Sequence, residues 1–142
     1  MLNNPFYAMN LVAVRADLTG ATLQITFNRP EARNAMSLQM VGELRQVLAA
    51  AQATAGQSGA VRMVVLRGAG GHFCAGGDLK DMAMARMRAL ESPTGTDLVH
   101  DPVAEVNAAF GRMCADFADT TLAVVAVLEG AVLGGGIGLA CV

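Results

Sequence analysis

Two stretches share one construction: VVLRGAGGHFCAGGDLKDM (residues 64–82) and VAVLEGAVLGGGIGLACV (residues 125–142). Each has a short apolar run, then a glycine-rich loop, then a segment that we expect to be helical. Such an apolar run is typical of a buried strand in a parallel arrangement. Glycines allow positive φ and carry no Cβ, so another group can approach the loop N–H groups closely. A helix start leaves further N–H groups unpaired. Each junction therefore predicts a site for negative charge.

The common phosphate motifs do not explain these loops. The second loop has no lysine at the P-loop position, and neither cluster supplies G-x-G-x-x-G in register. Two N–H donors from the separate junctions could instead converge on one carbonyl oxygen that becomes an oxyanion during reaction. The alternative is that the glycines serve only close packing between strand and helix.

The rest of the chain predicts one mixed α/β domain over residues 1–142. Two β-rich runs with a polar turn between them predict a hairpin, and apolar residues at helical spacing predict a helix with Ser37 as its N-cap. A polar connector at 91–97 precedes a helix that begins at Pro102. The predicted strands cover residues 10–16, 22–28, 61–68 and 122–130, and the predicted helices cover 37–53, 79–90, 102–119 and the segment after Gly134. The order is β-β-α-β-α-α-β-α.

Composition excludes several classes of protein. With 54% hydrophobic and 15% charged residues, the chain can bury a core. A net charge of −2 and 4% aromatic residues argue against nucleic-acid binding. Residues 121–142 approach membrane-spanning length, but they include Glu129 and several glycines, so we expect no membrane span. Scattered Cys74, Cys114 and Cys141 favour a reducing, cytoplasmic location and predict neither disulfides nor a metal site.

Three segments carry a family resemblance: ITFNRPEARNAM (25–36), HFCAGGDLKDM (72–82) and LEGAVLGGGIGLA (128–140). In order and spacing they resemble the signature segments of the enoyl-CoA hydratase/isomerase, or crotonase, superfamily. The resemblance implies a spiral of ββα units, of which this chain would be the N-terminal part, truncated before the second half. It also implies assembly into trimers or hexamers, an acyl-CoA thioester as substrate, and no cofactor beyond the coenzyme A of that substrate.

The resemblance assigns roles to particular residues. The amides of Gly77 and Gly135 would donate to the thioester oxygen and so form the catalytic oxyanion hole. Of the charged candidates Arg29, Arg33 and Lys80 for the phosphates of coenzyme A, Arg33 is favoured. The substrate-binding residues implied are Arg33, Asn34, Ala35, Ala75, Gly76, Asp78, Leu79 and Gly134. Asp78 is also expected to cap the helix that follows it.

One position departs from the family pattern. Hydratases of the superfamily commonly use two glutamates, and the first falls at Gly138 here, while the second would lie about twenty residues further on, past Val142. Glycine carries no proton, so a two-glutamate hydration mechanism is in doubt. The resemblance implies an enzyme that hydrates or isomerises an α,β-unsaturated acyl-CoA through an enolate, most like isohexenylglutaconyl-CoA hydratases and hence with a branched glutaconyl-type substrate. The alternatives are another crotonase reaction, such as decarboxylation, and a non-catalytic domain that binds acyl-CoA or a partner.

Several side chains have competing interpretations. Glu43, Asp81 and Glu105 lie on predicted amphipathic helices, so we expect them to be solvated. Cys74 is next to a glycine loop, but without a recognisable base it is expected to be a small buried residue rather than a nucleophile. The three methionines within residues 82–87 either line an adaptable acyl pocket or fill the core.

Overall fold

The computed structural model describes residues 5–91 and 101–142. Its regular elements follow the predicted order, and three short 3₁₀ turns lie at Pro5–Ala8, Pro30–Ala32 and Ala69–Gly71. The strands are β1 (Val14–Thr19), β2 (Thr22–Phe27), β3 (Met63–Gly68) and β4 (Ala123–Ala126), and the helices are α1 (Leu38–Gln52), α2 (Leu79–Glu91), α3 (Pro102–Ala118) and α4 (Gly135–Ala140). Apart from Glu91, the connector predicted at 91–97 lies outside the described residues.

The strands form one sheet in the order β1-β2-β3-β4. β1 and β2 are the predicted antiparallel hairpin, closed by Gly20 at φ +60°. β3 pairs with β2 and with β4 in parallel, as the apolar runs predict. Parallel neighbours need a crossover, and α1 supplies one while α2 and α3 supply the other. The carboxyl ends of β3 and β4, with their glycine loops, therefore lie at the same edge of the sheet.

Helix α1 forms where the apolar spacing predicts it. The Ser37 hydroxyl accepts a hydrogen bond from the Met40 amide at 3.1 Å, which confirms the predicted N-cap. Leu44 and Leu48 on its inner face are buried together with Leu23 of β2 in one hydrophobic cluster. α1 also packs against α3, and α2 packs against α3. The buried face of α1 therefore fixes the helical layer on the sheet.

Glu43 is not solvated, so that prediction was wrong. It is 8% exposed, and its carboxylate accepts hydrogen bonds from the amides of Val12, Ala13 and Val14 at 2.8–3.2 Å. Gln39 donates a further bond from its side chain. The carboxylate thus stabilises the bend before β1, which begins at Val14 rather than at the predicted residue 10.

The run before the second glycine loop forms a strand, as predicted, but the prediction that this strand is buried was wrong. β4 has only four residues, and they are alternately exposed and half-buried. Among the described residues it pairs with β3 alone, so one of its edges and part of its surface are open. No helix within residues 5–91 and 101–142 has the length and apolarity needed to cross a membrane.

Candidate functional site

The loops that follow β3 and β4 are joined by main-chain hydrogen bonds. Phe73 donates to the carbonyl of Glu129 at 2.8 Å, and Cys74 donates to Ala131 at 2.9 Å. In return, the Leu133 amide donates to the Cys74 carbonyl at 2.9 Å. The two glycine loops are therefore joined to each other beyond the ends of the strands, where open α/β sheets usually bind ligands.

Part of the glycine content serves this close approach. Gly76 has φ +97°, and a Cβ on it would lie 3.3 Å from the Leu133 carbonyl oxygen. A Cβ on Gly136 would lie 2.7 Å from the carbonyl oxygen of Cys74, closer than a side chain permits. The packing interpretation of the glycines is therefore correct for these two positions.

Gly77 is held by the loop that contains Met36. The Met36 amide donates to Gly76 at 2.7 Å, and the Asp78 amide donates to the Met36 carbonyl at 3.0 Å. A parallel bridge of this kind uses the groups on either side of Gly77 and leaves its own N–H free of the ladder. Residues 25–36 and 72–82, two of the segments that carry the resemblance, meet at this point.

Gly135 is the first residue of α4. Gly134 before it has φ +47° and ψ −116°, a conformation that favours glycine and that turns the chain into the helix. The first N–H groups of a helix have no partner within it. Among the residues that the structure describes, neither the Gly77 amide nor the Gly135 amide donates a hydrogen bond to another group of the chain.

Both glycines line one cavity of 230 Å³ between α2, α3 and the two loops. Most of its remaining wall is apolar, with two carboxylates at one side. The lining residues are Met36, Leu38, Val41, Gly77, Asp78, Asp81, Met82, Val106, Asn107, Phe110 and Gly135. A mostly apolar cavity with a few polar groups is typical of a small-molecule site.

Asp78 is 8% exposed and bonded on several sides. Its carboxylate accepts from the amides of Lys80 and Asp81, as predicted for a helix cap, and pairs with the Arg29 guanidinium at 2.7 Å. Burial raises the pKa of this carboxyl, but the hydrogen bonds from Arg29 and the two amides outweigh burial, so the pKa is lowered. Asp78 therefore stays ionised and is not a ready proton donor.

Asp81 is half-buried and less solvated than expected. Its Oδ2 accepts a hydrogen bond from the Leu38 amide at 2.7 Å, which joins the start of α1 to the start of α2. It lines the cavity beside Asp78. Glu105 is exposed, as predicted.

Asn34 does not line the cavity, and its side chain is fully buried. Its oxygen accepts from the Arg29 amide at 2.9 Å, and its nitrogen donates to the carbonyls of Ala69 and His72 at 2.8 and 2.7 Å. The residue also has φ +56°. Asn34 thus ties residues 29–34 to the first glycine loop, and its side chain has little capacity left for a ligand.

The other predicted binding residues lie around the same loops without lining the cavity. The amide of half-buried Ala75 donates to the carbonyl of Arg33 at 3.0 Å, and the carbonyl of Ala35 accepts from Arg29. The Gly76 carbonyl is used by Met36. Leu79 is 81% exposed at the start of α2.

The three basic candidates differ in their availability. Arg29 is committed to Asp78 and to a main-chain carbonyl. Arg33, at φ +47°, and Lys80 are exposed, and neither side chain forms an ion pair within the described part of the chain. Arg33 and Lys80 are therefore better placed than Arg29 to meet phosphate groups.

Cys74 is fully buried, and burial raises the pKa of its thiol. It is therefore a small core residue, as expected, and not an activated nucleophile. Glu129 is exposed and pairs with Arg67 at 3.3 Å, away from the cavity.

The chain matches the sequence model of the enoyl-CoA hydratase/isomerase family over residues 22–142. The chain belongs to the enoyl-CoA hydratase/isomerase family. It is 36% identical over 117 residues to a probable enoyl-CoA hydratase, echA12, of Mycobacterium leprae, covering 82% of this chain and 36% of the relative. It is 34% identical over 116 residues to the mitochondrial 3-hydroxyisobutyryl-CoA hydrolase of Mus musculus, covering 81% of this chain and 26% of the hydrolase.

Solved structures show the same fold. An enoyl-CoA hydratase/isomerase from Marinobacter aquaeolei superposes with a TM-score of 0.80 at 48% identity, over 92% of this chain and 46% of that one. AtuE of Pseudomonas aeruginosa gives a TM-score of 0.78 at 48% identity, over 92% and 45%. The crotonase fold is therefore confirmed, and the chain spans less than half the length of these relatives.

Gly138 and Phe110 lie together in this family member. Gly138 is on α4, one turn after Gly135, and Phe110 of α3 packs against both glycines. Val106 and Phe110 are four residues apart and so lie on one face of α3, but nothing in the sequence alone places that face at the glycine loops. Sequence reasoning therefore missed Phe110 and Val106, as well as Met36, as cavity residues.

Proposed function

We propose that this chain binds an acyl-CoA thioester with its carbonyl oxygen between the amides of Gly77 and Gly135, and that it hydrates or isomerises an α,β-unsaturated acyl group. As water adds to the β-carbon, or as a proton leaves the γ-carbon, negative charge develops on the thioester oxygen. Two fixed N–H donors in an apolar cavity stabilise that charge without reorganisation.

One observation carries the proposal. The two amides come from loops that follow different strands, both line one cavity, and neither donates a hydrogen bond elsewhere among the described residues. An N–H group left unpaired in a mostly apolar cavity is costly unless a ligand or water accepts from it. A thioester oxygen is an acceptor of suitable charge for both.

The remaining lining residues fit the other parts of such a ligand. Met36, Val41 and Val106 offer an apolar surface to an acyl group. Exposed Arg33 and Lys80 are available to the phosphates of coenzyme A. In this proposal the thioester and pantetheine of the ligand run along the main chain of five predicted binding residues: Ala35, Ala75, Gly76, Leu79 and Gly134. No cofactor besides the coenzyme A of the substrate is required.

The proton carrier is not residue 138, because glycine has no side chain to carry a proton. The lowered pKa of Asp78 and its bond to Arg29 make it a structural carboxylate. We therefore assign to this chain the oxyanion hole and the acyl pocket, and assign proton transfer to none of these residues. The finer proposal, a branched glutaconyl-type acyl group, rests on the resemblance of the glycine segments.

The absence of an acid at Gly138 supports a second candidate, a domain that binds acyl-CoA without turnover.

For both candidate functions we propose assembly into trimers or hexamers, as the family resemblance implies, and a cytoplasmic location, as the unpaired cysteines imply.

The two candidates are separated by one experiment. The purified chain is offered a panel of enoyl-CoA and glutaconyl-CoA thioesters, and the ultraviolet absorbance of the conjugated double bond is followed beside calorimetric binding. Loss of absorbance with the mass gain of one water indicates hydration, and loss without a mass change indicates isomerisation. Binding without absorbance loss supports the non-catalytic domain. If the thioesters bind no better than free coenzyme A, the proposal is wrong.

A further inference from the structure

The aromatic ring of Phe110 covers one face of α4. A Cβ on Gly135 would lie 3.1 Å from Cε2 and 3.2 Å from Cζ of Phe110. A Cβ on Gly138 would lie 3.5 Å from Cζ and 3.6 Å from Cε1. Helix positions three residues apart lie on the same face. The edge of the ring that carries Cε2 and Cζ therefore lies beside Gly135 in the cavity wall.

The position of this ring is fixed by packing. Phe110 is half-buried, packs against the main hydrophobic cluster, and lines the cavity together with Val106, which is four residues earlier on α3. Phenylalanine has only two side-chain torsions, so a packed ring cannot swing aside as an unbranched chain can.

The wall beside Gly77 differs. Its nearest side chain is Met82, whose sulfur would lie 3.3 Å from a Cβ on Gly77. Met82 is 44% exposed at the edge of the cavity. Methionine is flexible and adapts to the shape of its neighbours. The end of the cavity formed by Met82 can therefore yield to a ligand more readily than the end formed by Phe110.

The volume of the cavity limits the size of the acyl group that it can hold. At 230 Å³ it is smaller than the range of about 300–1,000 Å³ that is typical of sites for drug-sized ligands. An acyl group whose carbonyl oxygen meets Gly77 and Gly135 must fit in this volume beside the Phe110 ring.

We propose that Phe110 is a specificity-determining residue that restricts the site to short or compact acyl groups and excludes long unbranched chains. This inference rests on the proposed function. The side chain acts by its shape: it occupies the space on the α4 side into which the distal part of a longer acyl chain would extend.

The test compares the binding of butyryl-CoA and octanoyl-CoA, measured by calorimetry against free coenzyme A. The proteins are the wild-type chain, Phe110→Ala, Phe110→Leu and Met82→Ala, with Cys114→Ala as a control on α3 outside the cavity lining. Circular dichroism checks that each is folded, and Phe110→Leu keeps the test open should the alanine variant unfold.

In the wild type, we expect octanoyl-CoA to bind no more tightly than butyryl-CoA. Phe110→Ala should raise the affinity for octanoyl-CoA relative to butyryl-CoA at least about 10-fold, and Phe110→Leu should raise it by less. Met82→Ala should change the ratio less than Phe110→Ala does, because Met82 is already flexible, and Cys114→Ala should leave the ratio near the wild-type value. An unchanged ratio in folded Phe110 variants that still bind butyryl-CoA overturns the role of Phe110 alone. A wild type that binds neither thioester above free coenzyme A overturns the proposed function as well.

Discussion

Replacing Gly135 with proline removes the amide hydrogen and puts a ring carbon on the nitrogen in its place. Proline is accepted at the first position of a helix, where the N–H has no helical partner. The residue before proline prefers ψ of about 120–160°, and the ψ of Gly134, −116°, has a similar magnitude and the opposite sign, which glycine can adopt. We therefore expect the backbone to accommodate the change.

The substitution also adds a Cβ, and the structure shows what it meets. That atom would lie 3.1 Å from the Phe110 ring, so the ring must move by a few tenths of an ångström. Overpacking of this kind costs about 1–3 kcal/mol of folding free energy. Gly135→Ala adds the same Cβ but keeps the N–H, and it is therefore the matched control.

The two variants share the added Cβ and differ in the amide hydrogen, which the proline ring replaces. Loss of one oxyanion-hole donor costs about 2.7–4 kcal/mol of transition-state stabilisation, or about 10²–10³ in kcat. We expect Gly135→Ala to keep most of its turnover and Gly135→Pro to lose it by that factor. Both variants should have similar urea-unfolding midpoints.

The assay is the loss of ultraviolet absorbance of an enoyl-CoA substrate, taken from the panel that the wild type turns over. Equal kcat/KM values for folded Gly135→Pro and Gly135→Ala would refute the role of the Gly135 amide. Addition of Phe110→Leu to both variants should relieve the crowding and leave their ratio unchanged.

Three further predictions concern stability. Gly77→Ala should leave urea unfolding nearly unchanged, because the new Cβ meets only the flexible Met82 sulfur. Gly76→Ala should lower the free energy of unfolding by about 1–3 kcal/mol, because φ is +97° at this position. Equal unfolding free energies of the two variants would contradict this prediction. Glu43→Ala should lower the free energy of unfolding by about 1–3 kcal/mol, because it leaves buried amides unpaired. Glu105→Ala, the exposed control, should lower it by less than about 0.5 kcal/mol. Equal decreases in urea unfolding would show that Glu43 has no such role. The pKa of Asp78 is lowered in the folded state, so its contribution to stability should be complete above the ordinary aspartate pKa of about 3.9 and lost as pH falls through the folded-state pKa. Asp78→Asn should weaken this loss of stability at acid pH in denaturant titrations. An unchanged pH dependence in the variant would argue against this role of Asp78.

The sequence predicted those parts of the fold that depend on neighbouring residues, such as helix caps and apolar spacing. Ser37 caps α1, and apolar residues at helical spacing carry the helix to Gln52, within one residue of the prediction at each end. Parallel pairing of β3 with both neighbours followed from the apolar run and from the crossovers that the helices supply.

The predictions that were wrong or incomplete concern residues whose contacts are distant in the sequence. Glu43 reads as an exposed position of an amphipathic helix, but its partners are the amides of residues 12–14, about thirty positions earlier. Phe110 reads as a core residue of α3, and only the packing of α3 on α4 brings it to Gly135. The apolar run of β4 predicts a buried strand, but the described strand has a neighbour on one side only.

The central claim concerns two hydrogen bonds to one carbonyl oxygen, and infrared spectroscopy of a bound acyl-CoA with a ¹³C-labelled thioester carbonyl measures them directly. In the wild-type chain and in Gly135→Ala the carbonyl stretch should lie at lower frequency than for the free thioester in water, and Gly135→Pro should shift it back towards that value. A bound carbonyl that absorbs at the free-thioester frequency in the wild type, or that is unaffected by the proline, would contradict the account.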